Sequence, residues 1–213
     1  MPSNDSSRIK IIGLTGGIAS GKNFVAEIFA QEGAAVFDAD KEVHKLFELD
    51  KSTIAEVKKN FPTSFVEGKI SRKILGKIVF ENAKELQILE KIIHPKVRKK
   101  YQEFLENSCQ QGKKLIVLNV PLLLEVDVYK CDKILAILAS PSIQKKRFLA
   151  RARKNNPKIF AAEKKNLEKR FEQIRAKQVS NKVRKFKADL VINTNGSKAE
   201  TLQQIIKIIA TFS

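Results

Sequence analysis

Short apolar, β-branched runs alternate along this chain with longer amphipathic stretches, the pattern of strands connected through helices. Ile9-Lys10-Ile11-Ile12-Gly13-Leu14 is the first such run, and Phe24-Val25-Ala26-Glu27-Ile28-Phe29-Ala30 follows it with apolar residues at helical spacing. Gly33-Ala34-Ala35-Val36-Phe37 predicts a turn into a second short buried strand that ends at Asp38-Ala39-Asp40. From Lys41 to Gln111 the pattern is helical, with breaks at Pro62, Gly68 and Pro95, an N-cap at Ser71 and a helix start at Asn82. A strand-free helical stretch of that length is too long for a plain crossover and predicts a substrate-binding subdomain. Lys114 to Val120 and Lys133 to Ala139 read as parallel strands buried on both faces. Ser140-Pro141 supplies an N-cap with proline at the first helical position, ahead of a helix over Ser142 to Arg153. Basic helical sequence runs on to Phe186, interrupted near Asn155-Asn156-Pro157. Asp189 to Asn193 makes a last strand, Asn195-Gly196 turns the chain, and Ser197 with Glu200 forms a capping box for a closing helix through Phe212.

Length and composition bound this picture without changing it. A chain of 213 residues, 43% hydrophobic, supports one core or one core with a subdomain and predicts a compact α/β unit. The first ten residues are polar, and the longest apolar stretch, Leu115 to Val126, is broken by Asn119, Pro121 and Glu125, so neither a signal peptide nor a membrane span is expected. Cys109 and Cys131 fit neither a redox pair nor a zinc set, which points to a reducing, cytosolic compartment. Charge does change the picture. Between Gln144 and Lys187 there are 17 Lys or Arg against 3 Glu, so most of the net charge of +18 sits in one segment. Most of these cations read as a solvated helical face, with a few arginines reaching over bound phosphates and a nucleic-acid patch as the remaining alternative.

Between the first strand and the first helix lies Gly16-Gly17-Ile18-Ala19-Ser20-Gly21-Lys22-Asn23. Glycines at this spacing before a lysine let backbone N–H groups wrap the phosphates of a nucleotide, with the helix N-terminus adding donors and Lys22 reaching the β- and γ-phosphate oxygens. The last position departs from the phosphate-loop (P-loop) pattern. A Ser or Thr hydroxyl there would ligate Mg2+, whereas Asn23 offers an amide oxygen. Phosphoryl transfer needs a phosphate cradle, an acid or base for the attacking oxygen, and cations against developing charge. Asp38 and Asp40, expected on the strand neighbouring that of the loop, can divide metal and proton work. Arg147 and Arg151, four apart on one helix face, can both point at one anion. His94-Pro95 reads equally as a helix break with a satisfied histidine, and spacing alone assigns Glu125 no role.

Taken in order, Gly13-Leu14-Thr15-Gly16-Gly17-Ile18-Ala19-Ser20-Gly21-Lys22, Asp38-Ala39-Asp40, Ile93-His94-Pro95, Val120-Pro121-Leu122-Leu123-Leu124-Glu125, Lys146-Arg147, Gln178 and Ala188 to Gly196 resemble the dephospho-CoA kinase family over nearly the whole chain. The resemblance implies a three-layer α/β P-loop NTPase fold with a parallel sheet. A nucleotide-binding core would span 8–40, 112–143 and 188–213, with an inserted helical acceptor subdomain over 41–111 and a basic lid over 144–187. It implies transfer of the γ-phosphoryl of ATP, with Mg2+, to the ribose 3′-hydroxyl of dephospho-CoA, the final step of CoA synthesis. Asp40 would be the base, Asp38 and Asn23 would serve the metal, and Lys22, Arg147 and Arg151 the phosphates. Arg72, His94, Leu123 and Glu125 would meet the acceptor together with the two aspartates, and Asn193, Asn195 and Gly196 would lie near adenine. The implied protein is a cytoplasmic monomer or weak homo-oligomer without membrane or nucleic-acid partners. Alternatives are another P-loop small-molecule or nucleotide kinase, or a nucleic-acid-binding P-loop ATPase. The segment from Arg147 to Gln173 also exceeds the family's usual lid, mostly around Lys154 to Lys169.

Overall fold

A computed structural model describes residues 9–120, 123 and 129–212. The chain divides into two compact units, Met1–Phe37 with Gly112–Ser213, and Asp38–Gln111.

The first unit is built on a five-stranded sheet in the order β2-β5-β1-β6-β7. Its strands are β1 (Lys10–Gly16), β2 (Ala35–Asp38), β5 (Leu115–Asn119), β6 (Lys133–Leu138) and β7 (Leu190–Asn193). β1 is the central strand, parallel to β5 with Leu14 opposite Asn119 and parallel to β6 with Thr15 opposite Ala136; β6 is parallel to β7. The apolar runs are continuous because both faces are covered. On one face Ile12, Leu14, Val117, Leu135, Ile137 and Ile192 pack with Val25, Ile28 and Phe29 of α1 (Lys22–Gln31) and Ile205 of α9 (Lys198–Ile209). Residues of opposite parity along β1 face the other way, where α8 (Asn181–Lys187) packs on β1 and β6. Helices α6 (Pro141–Asn155) and α7 (Pro157–Lys177) pack together, α7 carrying a kink at Glu163.

The caps predicted at Ser140 and Ser197 are present. Ser140 accepts from the Ile143 N–H with Pro141 in the first turn, and Ser197 and Glu200 form the reciprocal capping box. The expectation that the Asp38-Ala39-Asp40 strand adjoins that of the loop is corrected. β5 lies between β2 and β1, an order set by long-range pairing that no local pattern encodes.

The second unit holds α2 (Ala39–Leu49), α3 (Lys51–Asn60), α4 (Arg72–Glu81) and α5 (Ala83–Gln110) around Leu46, Val57, Phe61, Leu75, Ile92, Ile93 and Val97. Asn82 caps α5 through the Lys84 N–H, as expected, while Ser71 precedes α4 without a side-chain cap bond. Two expectations are overturned here. The stretch is not strand-free, since β3 (Phe65–Val66) and β4 (Lys69–Ile70) pair antiparallel across Glu67-Gly68. Both turn residues have positive φ, 50° and 78°, the backbone of a tight two-residue hairpin. Pro95 also fails to end a helix, because α5 runs through it. The proline forfeits one backbone hydrogen bond, and the buried Ile92, Ile93 and Val97 on either side hold the helix in place.

Candidate functional site

The connection from β1 to α1 is a tight turn with two left-handed residues. Ala19 takes a left-handed φ of 54° and Gly21 a φ of 101° directly ahead of α1, and the Ser20 N–H donates to the Gly17 carbonyl at 3.1 Å. Gly21 is the N-cap of α1 and offers no side chain, so the first-turn donors have no side-chain cap. A Cβ at Gly16 would lie 2.5 Å from Ser20 Oγ, 2.8 Å from the Ile137 carbonyl oxygen and 3.0 Å from Lys22 Cγ. Only glycine permits that close fold of the loop and of the lysine stem.

Side chains from three elements grip the loop. Gln178 Oε1 accepts from the Ile18 N–H at 2.8 Å, and the amide of Gln144, itself 3% exposed, sits 2.8 Å from where a Gly17 Cβ would stand. Thr194 Oγ donates to the Ser20 carbonyl at 2.6 Å, and Arg147 Nη1 donates to Thr194 Oγ at 3.0 Å and to the Ser20 carbonyl at 3.4 Å. Its other terminal nitrogen donates to the Thr194 carbonyl. Arg147 thus reaches the loop and braces it from the protein side, while Arg151, on the same helix, is exposed. The Asn193–Gly196 segment is tied down internally. The Asn193 N–H donates to Gln204 Oε1 and its carbonyl accepts from Gln204 Nε2, Asn195 Oδ1 accepts from the Ser140 N–H at 2.7 Å, and a Cβ at Gly196 would meet the Glu200 carboxylate.

Further residues of this site were not singled out by sequence reasoning. Arg184, 2% exposed, donates to Thr15 Oγ1 at 3.1 Å just before the loop. In a segment of 17 cations nothing local separates this buried guanidinium from its solvated neighbours. Thr194 and Gln178 lie in the strings that carried the resemblance, but no spacing rule gave them roles. Cys131 packs where a Gly13 Cβ would be, and its thiol is pushed up to about 11 by burial and by the charge of Asp132.

In the second unit Asp38 caps α2, its Oδ1 accepting from the Lys41 N–H at 3.0 Å and its Oδ2 lying 4.0 Å from Lys41 Nζ. Asp40 stands exposed in the first turn of α2, Arg72 exposed at the start of α4, and His94 exposed on α5. Lys96 binds Ser52, Asp50 and Glu56, and its ammonium holds the Glu56 carboxyl below its usual range. The Asp50 carboxyl is lowered chiefly by the hydroxyl and N–H of Thr53. Leu123 is buried, and Glu125 with Pro121, Leu122 and Leu124 lies outside the described residues.

A sequence model of the dephospho-CoA kinase family matches residues 10–200. The chain belongs to the dephospho-CoA kinase family. It is 40% identical to the dephospho-CoA kinase of Bartonella quintana, over 94% of this chain and 97% of that protein, and 34% identical to that of the Wolbachia of Brugia malayi, over 95% and 98%. Among solved structures, a Thermus thermophilus protein superposes with a TM-score of 0.80 at 26% identity, covering 96% of this chain and 97% of that one. The dephospho-CoA kinase from Campylobacter jejuni gives 0.58 at 29% identity with the same coverage. As a family of kinases it uses a nucleotide.

For a dephospho-CoA kinase the fit to a metal held by protein side chains is poor on the loop. The residue after the lysine is Asn23, and its Oδ1 already accepts from Asn119 Nδ2 at 3.2 Å. Asp38 is engaged as a helix cap. Among the described residues no group of three or more His, Cys, Asp or Glu could hold a metal ion.

Proposed function

We propose that this member of the family transfers the γ-phosphoryl group of ATP, taken up with its Mg2+ as MgATP, to the ribose 3′-hydroxyl of dephospho-CoA, giving CoA and ADP. A bond forms between the 3′-oxygen and the γ-phosphorus, and the bond from that phosphorus to the β–γ bridging oxygen breaks. The hydroxyl proton passes to Asp40. The loop from Gly16 to Gly21, through main-chain donors other than the Ile18 and Ser20 N–H groups, holds the phosphates together with Lys22, and Arg151 adds charge from α6. Arg147 keeps the loop in shape through Ser20 and Thr194. Asn193, Asn195 and Gly196 border the adenine, while Asp38, Arg72, His94, Leu123 and Glu125 serve the acceptor. In this reading 41–111 is the acceptor subdomain and 144–187 the lid. The observation that carries the reading is the left-handed backbone at Ala19 and Gly21 directly ahead of α1, in a chain that matches the family from residue 10 to 200.

We place the reaction in the cytoplasm, carried out by a monomer or weak homo-oligomer without membrane or nucleic-acid partners, since both substrates are small water-soluble metabolites. No helix among the described residues is long and apolar enough to cross a membrane. The test is ADP release with and without dephospho-CoA. Release that depends on the acceptor is expected, and Asp40→Asn should lower kcat by about 10²–10⁴-fold with the thermal midpoint unchanged. Release that ignores dephospho-CoA and rises with DNA or RNA would assign the basic segment to nucleic acid instead.

A further inference from the structure

Asn23 is the second residue of α1, and Asn119 is the last residue of β5, 4% exposed and opposite Leu14 of the central strand. Their amides meet directly, Asn119 Nδ2 donating to Asn23 Oδ1 at 3.2 Å. In phosphate-loop enzymes the position after the lysine carries a hydroxyl that holds Mg2+, and an aspartate supplies the partner oxygen. Here the loop position is an amide, and the strand-end residue that reaches it is a second amide. Neither carries charge, and the one side-chain oxygen at position 23 is engaged by an N–H.

We propose, building on the nucleotide reading above, that the Asn23–Asn119 pair takes the place of a metal-binding corner. The hydrogen bond ties the first turn of α1 to β5, so the loop is braced by protein alone. The Mg2+ that travels with the nucleotide gains no ligand from this corner. A chain of net charge +18, with Lys22 on the loop, already attracts the bare phosphates, and Mg2+ reduces the charge that those cations attract. Without a protein oxygen to offset that loss, metal does not tighten nucleotide binding. Metal and nucleotide are then thermodynamically almost uncoupled on this protein.

Calorimetric titration of ADP, in excess Mg2+ and in EDTA, measures that coupling without any turnover. The wild-type protein should bind ADP with affinities within about threefold of each other in the two buffers. Asn23→Thr combined with Asn119→Asp supplies the missing hydroxyl and carboxylate, and should raise the preference for Mg2+ to about tenfold or more. Asn23→Thr alone, at an exposed position, should move the ratio the same way by a smaller step and covers the case in which the buried aspartate prevents folding. A wild-type affinity that falls about tenfold or more in EDTA overturns the inference while leaving the nucleotide reading intact. A double variant that folds and keeps the wild-type ratio also overturns it. Absence of ADP binding in both buffers overturns the nucleotide reading and the inference with it.

Discussion

Around the phosphate loop the first unit closes in from several sides, whereas the second unit leaves its chemistry-bearing side chains in the open. Gly16 is packed to the point that a methyl group would collide, the Ile18 N–H is taken by Gln178, and Ser20 is bonded by Thr194 and Arg147. Asp40, Arg72 and His94 stand exposed on helices whose buried residues, Ser108 apart, are apolar. The loop is therefore fixed before any ligand arrives, and its shape is part of the fold. The exposed residues take part in little of the fold, so what they do shows only when a ligand meets them. Changes at the loop should move stability and activity together, and changes on the second unit's helices should move activity alone.

The most severe test of this contrast is Gly16→Ala. Its Cβ would push on Ser20 Oγ and the Ile137 carbonyl, so a loss of about 1–3 kcal/mol is expected in denaturant titration. Misplacing the phosphates should also lower kcat/KM by about 10²-fold. An alanine variant with wild-type stability and rate would break the comparison.

Arg147→Ala comes next, set against Arg151→Ala. Removing the guanidinium that bonds Thr194 and Ser20 should cost about 1–3 kcal/mol of stability, while loss of the exposed Arg151 should stay within about 0.5 kcal/mol. Equal effects in thermal denaturation would mean that Arg147 does not brace the loop. On the second unit, Arg72→Ala and His94→Ala should each raise KM for dephospho-CoA by about tenfold, leaving KM for ATP and the melting curve unchanged. A fall in stability with no change in KM would reverse the assignment.

The smallest effect concerns Cys131. Its thiol is raised from 9.0 to about 11 by burial and by Asp132, so the folded chain keeps a proton that the unfolded chain loses. Stability from this group is complete below pH 9 and declines from there through about pH 11. Cys131→Ala should flatten that decline in denaturant titrations across the same range. An unaltered alkaline slope would show that other groups carry it.

Much of the first unit was legible because its signals are local. The glycine spacing, the buried strands around residues 115–119 and 133–138, Ser140-Pro141 and the Ser197–Glu200 box all act over a few residues and appear where expected. What escaped depends on distance along the chain or on brevity. Two-residue strands such as Phe65–Val66 show no alternation, so Gly68 signalled a break rather than a hairpin. Pro95 is tolerated because neighbours far away in sequence pack around it. The insertion of β5 between β2 and β1, the burial of Arg184 and the pairing of Asn119 with Asn23 are all set by tertiary contacts. For Asn23 the sequence announced a departure but not its partner, 96 residues on.

The identity of the phosphorylated product tests the whole account most directly. Purified protein incubated with MgATP and dephospho-CoA, followed by mass spectrometry and phosphorus NMR, should yield one CoA for each ADP, with the new phosphate on the ribose 3′-oxygen. ADP accumulating without a phosphorylated acceptor, or phosphate on any other oxygen, would contradict it.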